Sequence, residues 1–357
     1  MNIVALNSSK NWGGNERWLT TALNGLSTRG HQIYLIKRHN TDHWNSLSAS
    51  INVIEAPFTN ELSIKTKKII RNTIKERNSD ILLSTKRKDY VLGAQIKNKN
   101  NISHIMRLGI SRPILKRDVI QRYVISKKVD GIIVNAQSLK SELLNYSFIK
   151  SNFNSDDIGC IYNGYDITNN KTPKSKKNRS TLLIRSAGRL TIHKGYDILL
   201  SALNSINDLK TKYTLEIAGE GPEQKRLNAL INNYNLESHC KLVGEKKDVV
   251  SFFSEADLVV IPSRSEGIPN TLFEAWMAKK PVIATNAGGT SEVVDDMKDG
   301  IICEPNSENL MNVLKKYLNN RSHFEEMGLN GYNKLIQSFS MDKMTRNLEQ
   351  YLMGFID

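Results

Sequence analysis

The stretch SRSEGIPNTLFEAWMAKKPVIATNAGG, residues 263–289, decides how this chain is read. It follows DLVVIPS, an apolar run of strand length, and its NTLFEAWMA has the spacing of a helix behind a Gly267–Pro269 turn. Two acids, Glu266 and Glu274, stand eight residues apart in otherwise small or apolar surroundings. Burying a carboxylate is costly unless something pairs with it. The unpaired N–H groups at a helix start, with the positive end of the helix dipole, suit an anion. Carboxylates accept paired hydrogen bonds from vicinal sugar hydroxyls. An acid on each side of an anion-binding turn therefore fits a sugar joined to a nucleoside diphosphate. A plainer reading fits the spacing equally. Thr271 and Glu274 form T-x-x-E, a capping box that makes Glu274 structural, and Glu266 rides in a solvated loop.

Working outward, short apolar runs alternate with helical spacing along the whole chain. TLLIRSAGRL, YTLEIAGEG, CKLVGE, ADLVVIPS, KPVIATNAGG and DGIICEP read as six strands after residue 180. MNIVALN, HQIYLIKR, DILLST, SHIMRLG and DGIIVNA read as strands before it. Such alternation predicts α/β architecture, with two doubly wound parallel sheets. The expected domains are 1–165 and 181–340, joined by a polar linker at 166–180 (DITNNKTPKSKKNRS). A last helix at about 341–357 is expected to pack back on the first domain. In such sheets ligands bind beyond the carboxyl ends of the strands.

Those strand exits carry the other candidates. AGRLTIHKG places Arg189 and Lys194 past a strand, where a guanidinium fork and an ammonium suit a diphosphate; surface cations on a solvated loop are the alternative. IAGEGPE brings Glu220 to a Gly-rich exit, and Lys246 follows another, where a nucleobase would lie.

At 357 residues, with 39% hydrophobic and 24% charged residues, the composition is that of a globular two-domain protein. No apolar run reaches the roughly 18 residues of a membrane span. The first residues lack the pattern of a signal peptide. Cys160, Cys240 and Cys303 are scattered, which suggests reduced thiols in a cytoplasm and no metal spacing. The net charge of +14 is uneven: 30 Lys/Arg against 13 Asp/Glu in residues 1–180, and 20 against 23 afterwards. The basic half is expected to be either a solvated surface or attracted to an anionic membrane face. Nucleic acid is not an expected partner, since no aromatic-interleaved recognition motif accompanies the charge.

GRLTIHKG, EGIPNTLFEAWMAKKPVIATNAGGTSEVV and GIICEP together resemble the donor-binding domain of retaining glycosyltransferases of family 4, whose fold is GT-B, two Rossmann-like domains facing across a cleft. NWGGNERWLTTALNGLSTRGHQI and CIYNGYD resemble that family's first Gly loop and inter-domain segment. The likeness is contiguous over about 180–305 and patchier before it. It implies a metal-independent enzyme without a cofactor, moving a hexose from a nucleoside diphosphate, UDP foremost, to a hydroxyl of a glycan or lipid-linked glycan. It implies that Arg189 and Lys194 bind the diphosphate, Glu266 the transferred sugar and Glu274 the ribose. Backbone amides of Gly267, Ile268, Pro269, Asn270, Thr271 and Leu272 would frame the sugar and distal phosphate, proline contributing only its place in the turn. Gly13 and Gly14 would close over the diphosphate. Where many relatives carry a strand-end His, this chain reads HIMRLGISRP, so Arg107 takes that place and His104 falls within the strand. Arg cannot act as a base; it would bind an anionic acceptor. Asp89, at another strand exit beside Lys86, is the candidate for an acceptor's proton or hydroxyls. Cell-surface polysaccharide synthesis in a bacterial cytoplasm, on the inner membrane face, is the setting implied. A nucleotide-sugar epimerase of the same fold is one rival, and a basic nucleic-acid-binding protein is the other.

Overall fold

A computed structural model describes residues 1–41, 44–97, 102–109, 118–167, 181–206 and 213–356. The chain divides into two compact units, Met1–Asp166 with Phe339–Asp357, and Ile167–Ser338. Residues 168–180 of the expected linker lie outside the described residues.

The first unit is built on seven parallel strands: β1 (Asn2–Asn7), β2 (Gln32–Arg38), β3 (Asn52–Ala56), β4 (Ile81–Ser84), β5 (Ser103–Leu108), β6 (Gly131–Val134) and β7 (Ile158–Cys160). Their order is β3-β2-β1-β4-β5-β6-β7. The central strands bury both faces, which is why IVAL and ILL read as continuous apolar runs and do not alternate. Helix α1 (Gly14–Thr28) covers one face, and α2 (Ile64–Glu76) and α3 (Arg87–Lys97) the other; α4 (Val119–Lys128), α5 (Gln137–Leu144) and α6 (Ser147–Lys150) follow. β3 and β7 escape a sequence reading for physical reasons. Most of β3 is solvent-accessible at the sheet edge, and β7 has only three residues.

The second unit holds six parallel strands: β8 (Leu182–Ala187), β9 (Tyr213–Ala218), β10 (Cys240–Leu242), β11 (Leu258–Ile261), β12 (Val282–Thr285) and β13 (Ile301–Cys303), in the order β10-β9-β8-β11-β12-β13. Its helices are α7 (Tyr196–Asn204), α8 (Gln224–Asn233), α9 (Val249–Ser254), α10 (Asn270–Met277), α11 (Thr290–Val293), α12 (Ser307–Asn319) and α13 (Arg321–Ser338). The α/β fold class expected from the alternation is thus the fold observed. In both sheets the chain reverses its direction of winding at one point, between β1 and β4 and between β8 and β11. Loops leaving these strands diverge to opposite faces and open a crevice, so ligands gather there.

The final helix, α14 (Met341–Met353), joins the first unit. Met344, Leu348 and Leu352 enter the core formed by Trp18, Leu19 and Leu23 of α1, and Gly25 lets the two helices approach. Glu349 accepts from Arg29 at 2.6 Å and pairs with His31 at 2.7 Å.

Candidate functional site

In the second unit, main-chain hydrogen bonds stitch the strand exits into one rim. Gly219 N–H donates to the Gly244 carbonyl at 2.9 Å, and Leu190 N–H to that of Glu220 at 2.9 Å. Arg264 N–H reaches the His193 carbonyl at 2.7 Å, and Gly289 N–H that of Gly267 at 2.6 Å. The loops that carry AGRLTIHKG, IAGEG, SRSEGIP and NAGG are therefore neighbours. Two glycines make the approach possible. Gly195 has φ +67°, and a Cβ there would lie 1.9 Å from the Pro262 carbonyl oxygen. Gly288 has φ +60°, and its Cβ would lie 1.7 Å from that of Glu266.

On this rim Lys194, at the end of a single 3-10 turn, forms an ion pair with Glu266, and the Ser263 hydroxyl donates to the same carboxylate oxygen at 3.2 Å. Ser263 is itself fixed through its carbonyl, which accepts from Thr285 Oγ1 at 2.5 Å. Asp197, one turn on, clamps the β11 exit by accepting from Arg264 at 2.6 Å. Burial raises the Asp197 carboxyl, but Arg264 and Arg226 outweigh it and hold it below the usual range. Arg189 is exposed, and among the described residues its guanidinium has no hydrogen bond or ion pair. The rim thus pairs one carboxylate, Glu266, with Lys194 and leaves Arg189 uncommitted among the described residues.

Helix α10 starts at Asn270 with Pro269 as its N-cap and no capping side chain. That boundary decides against the plainer reading. Thr271 lies inside the helix and its hydroxyl is buried without a partner among the described residues, so the T-x-x-E capping box does not form. Glu274 is the fifth helical residue, in the second turn, and is 6% exposed. Gly267, Ile268, Pro269, Thr271 and Leu272 are buried, and Asn270 is partly so. Glu220 and Lys246 are exposed; Lys246 borders a separate cavity with Arg185, Glu216 and Phe252.

Sequence reasoning missed Tyr196. It follows Gly195 directly and is 2% exposed, and its hydroxyl would lie 2.9 Å from a Cβ on Gly188, beside Lys194. Burial, then the Glu266 charge, raises its pKa, so it is a neutral donor. Among the described residues the hydroxyl makes no well-formed hydrogen bond, and the Ser186 hydroxyl beside it donates to the Val260 carbonyl at 2.6 Å. An unsatisfied buried hydroxyl costs roughly 1–3 kcal/mol. Tyr196→Phe is therefore expected to leave the melting temperature of the free protein unchanged or raised. A clear fall would show that the hydroxyl is bonded in solution.

The first unit gathers polar groups at its own switch point. Gly13 is the extended N-cap of α1 and Gly14 its first residue. Glu16, also missed, is 1% exposed and accepts from Lys86 at 2.9 Å and Asn7 at 3.1 Å. Burial raises its pKa, but these two donors outweigh that and leave it lowered. Arg107 is only 4% exposed: its guanidinium bonds to Asn15 and lies 4.4 Å from the centroid of the Trp18 ring. It is packed against α1, with little surface left for an acceptor. His104 is a core residue, bonded to Ser84 at 2.8 Å and the Lys128 carbonyl at 2.8 Å.

Asp89 corrects an expectation. It does not face solvent but is 0% exposed, accepting from Ser8 N–H at 3.1 Å, Lys86 N–H at 3.0 Å and Thr85 Oγ1 at 3.3 Å. It closes the first turn of α3 and ties that helix to the β1 exit, so no acceptor reaches it. Burial pushes its pKa up to about 6, and burial pushes that of His104 down to about 4. Their linkages oppose. The raised Asp89 favours folding below its unfolded pKa near 3.8, an advantage lost as pH rises through about 6. The lowered His104 favours folding above its unfolded pKa near 6.5, an advantage lost as pH falls towards 4. Asp89→Asn removes only the first. Its melting temperature relative to wild type should therefore climb between pH 4 and 6; a constant difference would contradict the burial argument.

Residues 168–334 match the family described as Glycosyl transferases group 1. An uncharacterized glycosyltransferase of Methanocaldococcus jannaschii is 31% identical over 292 residues, 78% of this chain and 77% of that protein. A putative colanic acid biosynthesis glycosyltransferase of Escherichia coli, WcaL, is 31% identical over 151 residues, 40% of this chain and 37% of its own. Among solved structures, Anabaena HepE in complex with UDP and glucose superposes with a TM-score of 0.84 at 21% identity, covering 99% of this chain and 100% of that one.

Proposed function

The chain belongs to the glycosyltransferases, with residues 168–334 matching group 1, and has the GT-B fold, and from that premise we propose that it is a family 4 enzyme moving a hexose from UDP, with retained anomeric configuration, to a hydroxyl of a cell-surface glycan or its lipid-linked precursor. One observation carries this reading: the Lys194–Glu266 pair beside uncommitted Arg189 on the rim that leads into α10. A diphosphate arriving there competes for the Lys194 ammonium. As Lys194 turns to phosphate, Glu266 is freed to accept hydrogen bonds from the sugar's hydroxyls. Arg189 and Lys194 then oppose the charge that grows on the diphosphate as the glycosidic bond breaks. The acceptor attacks from the face the leaving group vacates, and the departing phosphate takes its proton, so the chain supplies no base. The UDP bound by HepE and the colanic acid role named for the E. coli relative support the donor and the setting.

A thermal-shift panel of nucleoside diphosphate sugars tests the donor, since a specific ligand raises the melting temperature by mass action. UDP-hexoses are expected to shift it, and the shift to vanish in Glu266→Ala. Product analysis with an acceptor then reads the anomeric configuration. No shift with any nucleotide sugar would remove the proposal, and turnover of the sugar without an acceptor would replace it with an epimerase.

A further inference from the structure

Twelve large apolar side chains are conspicuously exposed among the described residues, and five of them sit together on the first unit. Leu62 and Ile64 stand at the start of α2, and Val119, Ile120 and Tyr123 on the first turns of α4, all 56–79% exposed. These elements are far apart in sequence, and one guanidinium joins them. Arg87 of α3 pairs with Glu61 on one side and with Asp118 at 3.1 Å on the other. The residues that follow those two acids are Leu62 and Val119, so the two apolar strips begin side by side.

The charges around the strips are predominantly positive. Helix α2 carries Lys65, Lys67, Lys68, Arg71 and Lys75 against Glu76 alone, and α4 carries Arg122, Lys127 and Lys128 with no acid. The acids at the edge of the patch, Glu61 and Asp118, are those Arg87 neutralises. Exposed aliphatic groups cost free energy in water, and singly they need no explanation. Five together, rimmed by lysines, have the make-up of a surface that rests in a bilayer interface, apolar tips among the acyl chains and ammonium groups at the headgroups. A second copy of the chain fits poorly, because a two-fold contact would bring the lysines and arginines of this patch against those of the same patch on the other copy. No described helix is long and apolar enough to cross a membrane, so any association of the described residues is peripheral.

We propose that the surface formed by the starts of α2 and α4 around Arg87 docks the protein on an anionic lipid bilayer. The inference deepens the proposed function, resting on it only for the idea that a lipid-linked acceptor is met at this face. The intact chain is centrifuged with phosphatidylcholine vesicles, with and without phosphatidylglycerol. Binding is expected only to the anionic vesicles and to weaken with salt. Leu62→Glu with Ile64→Glu, and separately Val119→Glu with Ile120→Glu, should each weaken it on the order of tenfold. Leu329→Glu, an exposed apolar site in the other unit, should bind as wild type does. Melting temperatures check that each variant is folded. Absence of binding by the wild type, equal loss in Leu329→Glu, or a wild-type dimer that the paired variants dissolve would each overturn the proposal. Vesicle binding needs no nucleotide sugar, so this inference and the donor assignment fail separately.

Discussion

Lys194→Ala and Arg189→Ala will each lower kcat/KM for sugar transfer by about 100- to 1,000-fold, the scale of removing one preorganised group that opposes developing charge. Their effects on stability will differ, and that difference tests the geometry. Arg189 is exposed and has no partner among the described residues, so its truncation should leave the melting temperature within about a degree, as for most surface changes. Lys194 neutralises Glu266, whose side chain is only 15% exposed, so Lys194→Ala leaves a largely covered carboxylate without its cation and should melt earlier. Glu266→Ala should abolish most transfer as well, through lost contact with the sugar. Steady-state kinetics beside thermal melts of the three variants decide the matter. Near-normal turnover in all of them would refute the site.

Gly288→Ala will damage both stability and activity, although alanine adds one carbon and no charge. The left-handed backbone at φ +60° alone costs an alanine about 1–2 kcal/mol. The new Cβ would also lie 1.7 Å from the Glu266 carbonyl oxygen, a backbone atom that cannot swing aside. Relief requires parting the β11 and β12 exits, which breaks the 2.6 Å bond from Gly289 N–H to the Gly267 carbonyl. A loss near 3 kcal/mol or more, roughly 6–12 °C in melting temperature, is expected for a unit of this size. Donor affinity should fall with it, because Glu266 and the start of α10 move with their loop. Gly244→Ala supplies the contrast: its φ of +70° carries the backbone cost, but nothing lies within 4 Å of the added carbon. Equal damage in both variants would show that close packing of the exits is not what matters.

Much of this was legible in the sequence because parallel strands buried on both faces leave unmistakable apolar runs. VVI at 259–261 and VIA at 282–284 can be little else once a Gly-rich turn and a helix follow each. The loops after such strands point to the ligand edge by topology alone, so Lys194 and Glu266 could be named before their contact was seen. What the sequence left open were matters of one residue or one rotamer. T-x-x-E satisfied the pattern of a capping box, yet the helix began one residue before Thr271, and the box failed. Asp89 read as an open strand-exit acid, yet two main-chain N–H groups and a hydroxyl turned it inward.

The alternation of strands and helices, the ligand edge beyond the strand ends and the uneven placement of charge were thus determined by the sequence itself, through periodicity and composition summed over many residues. Tertiary structure alone decided that Lys194 meets Glu266 seventy-two positions away, that Tyr196 holds an uncommitted hydroxyl beside them, and that Arg87 draws two apolar strips together. Each of those is a single contact between distant residues, and its energy depends on ångström-scale distances that local patterns do not encode.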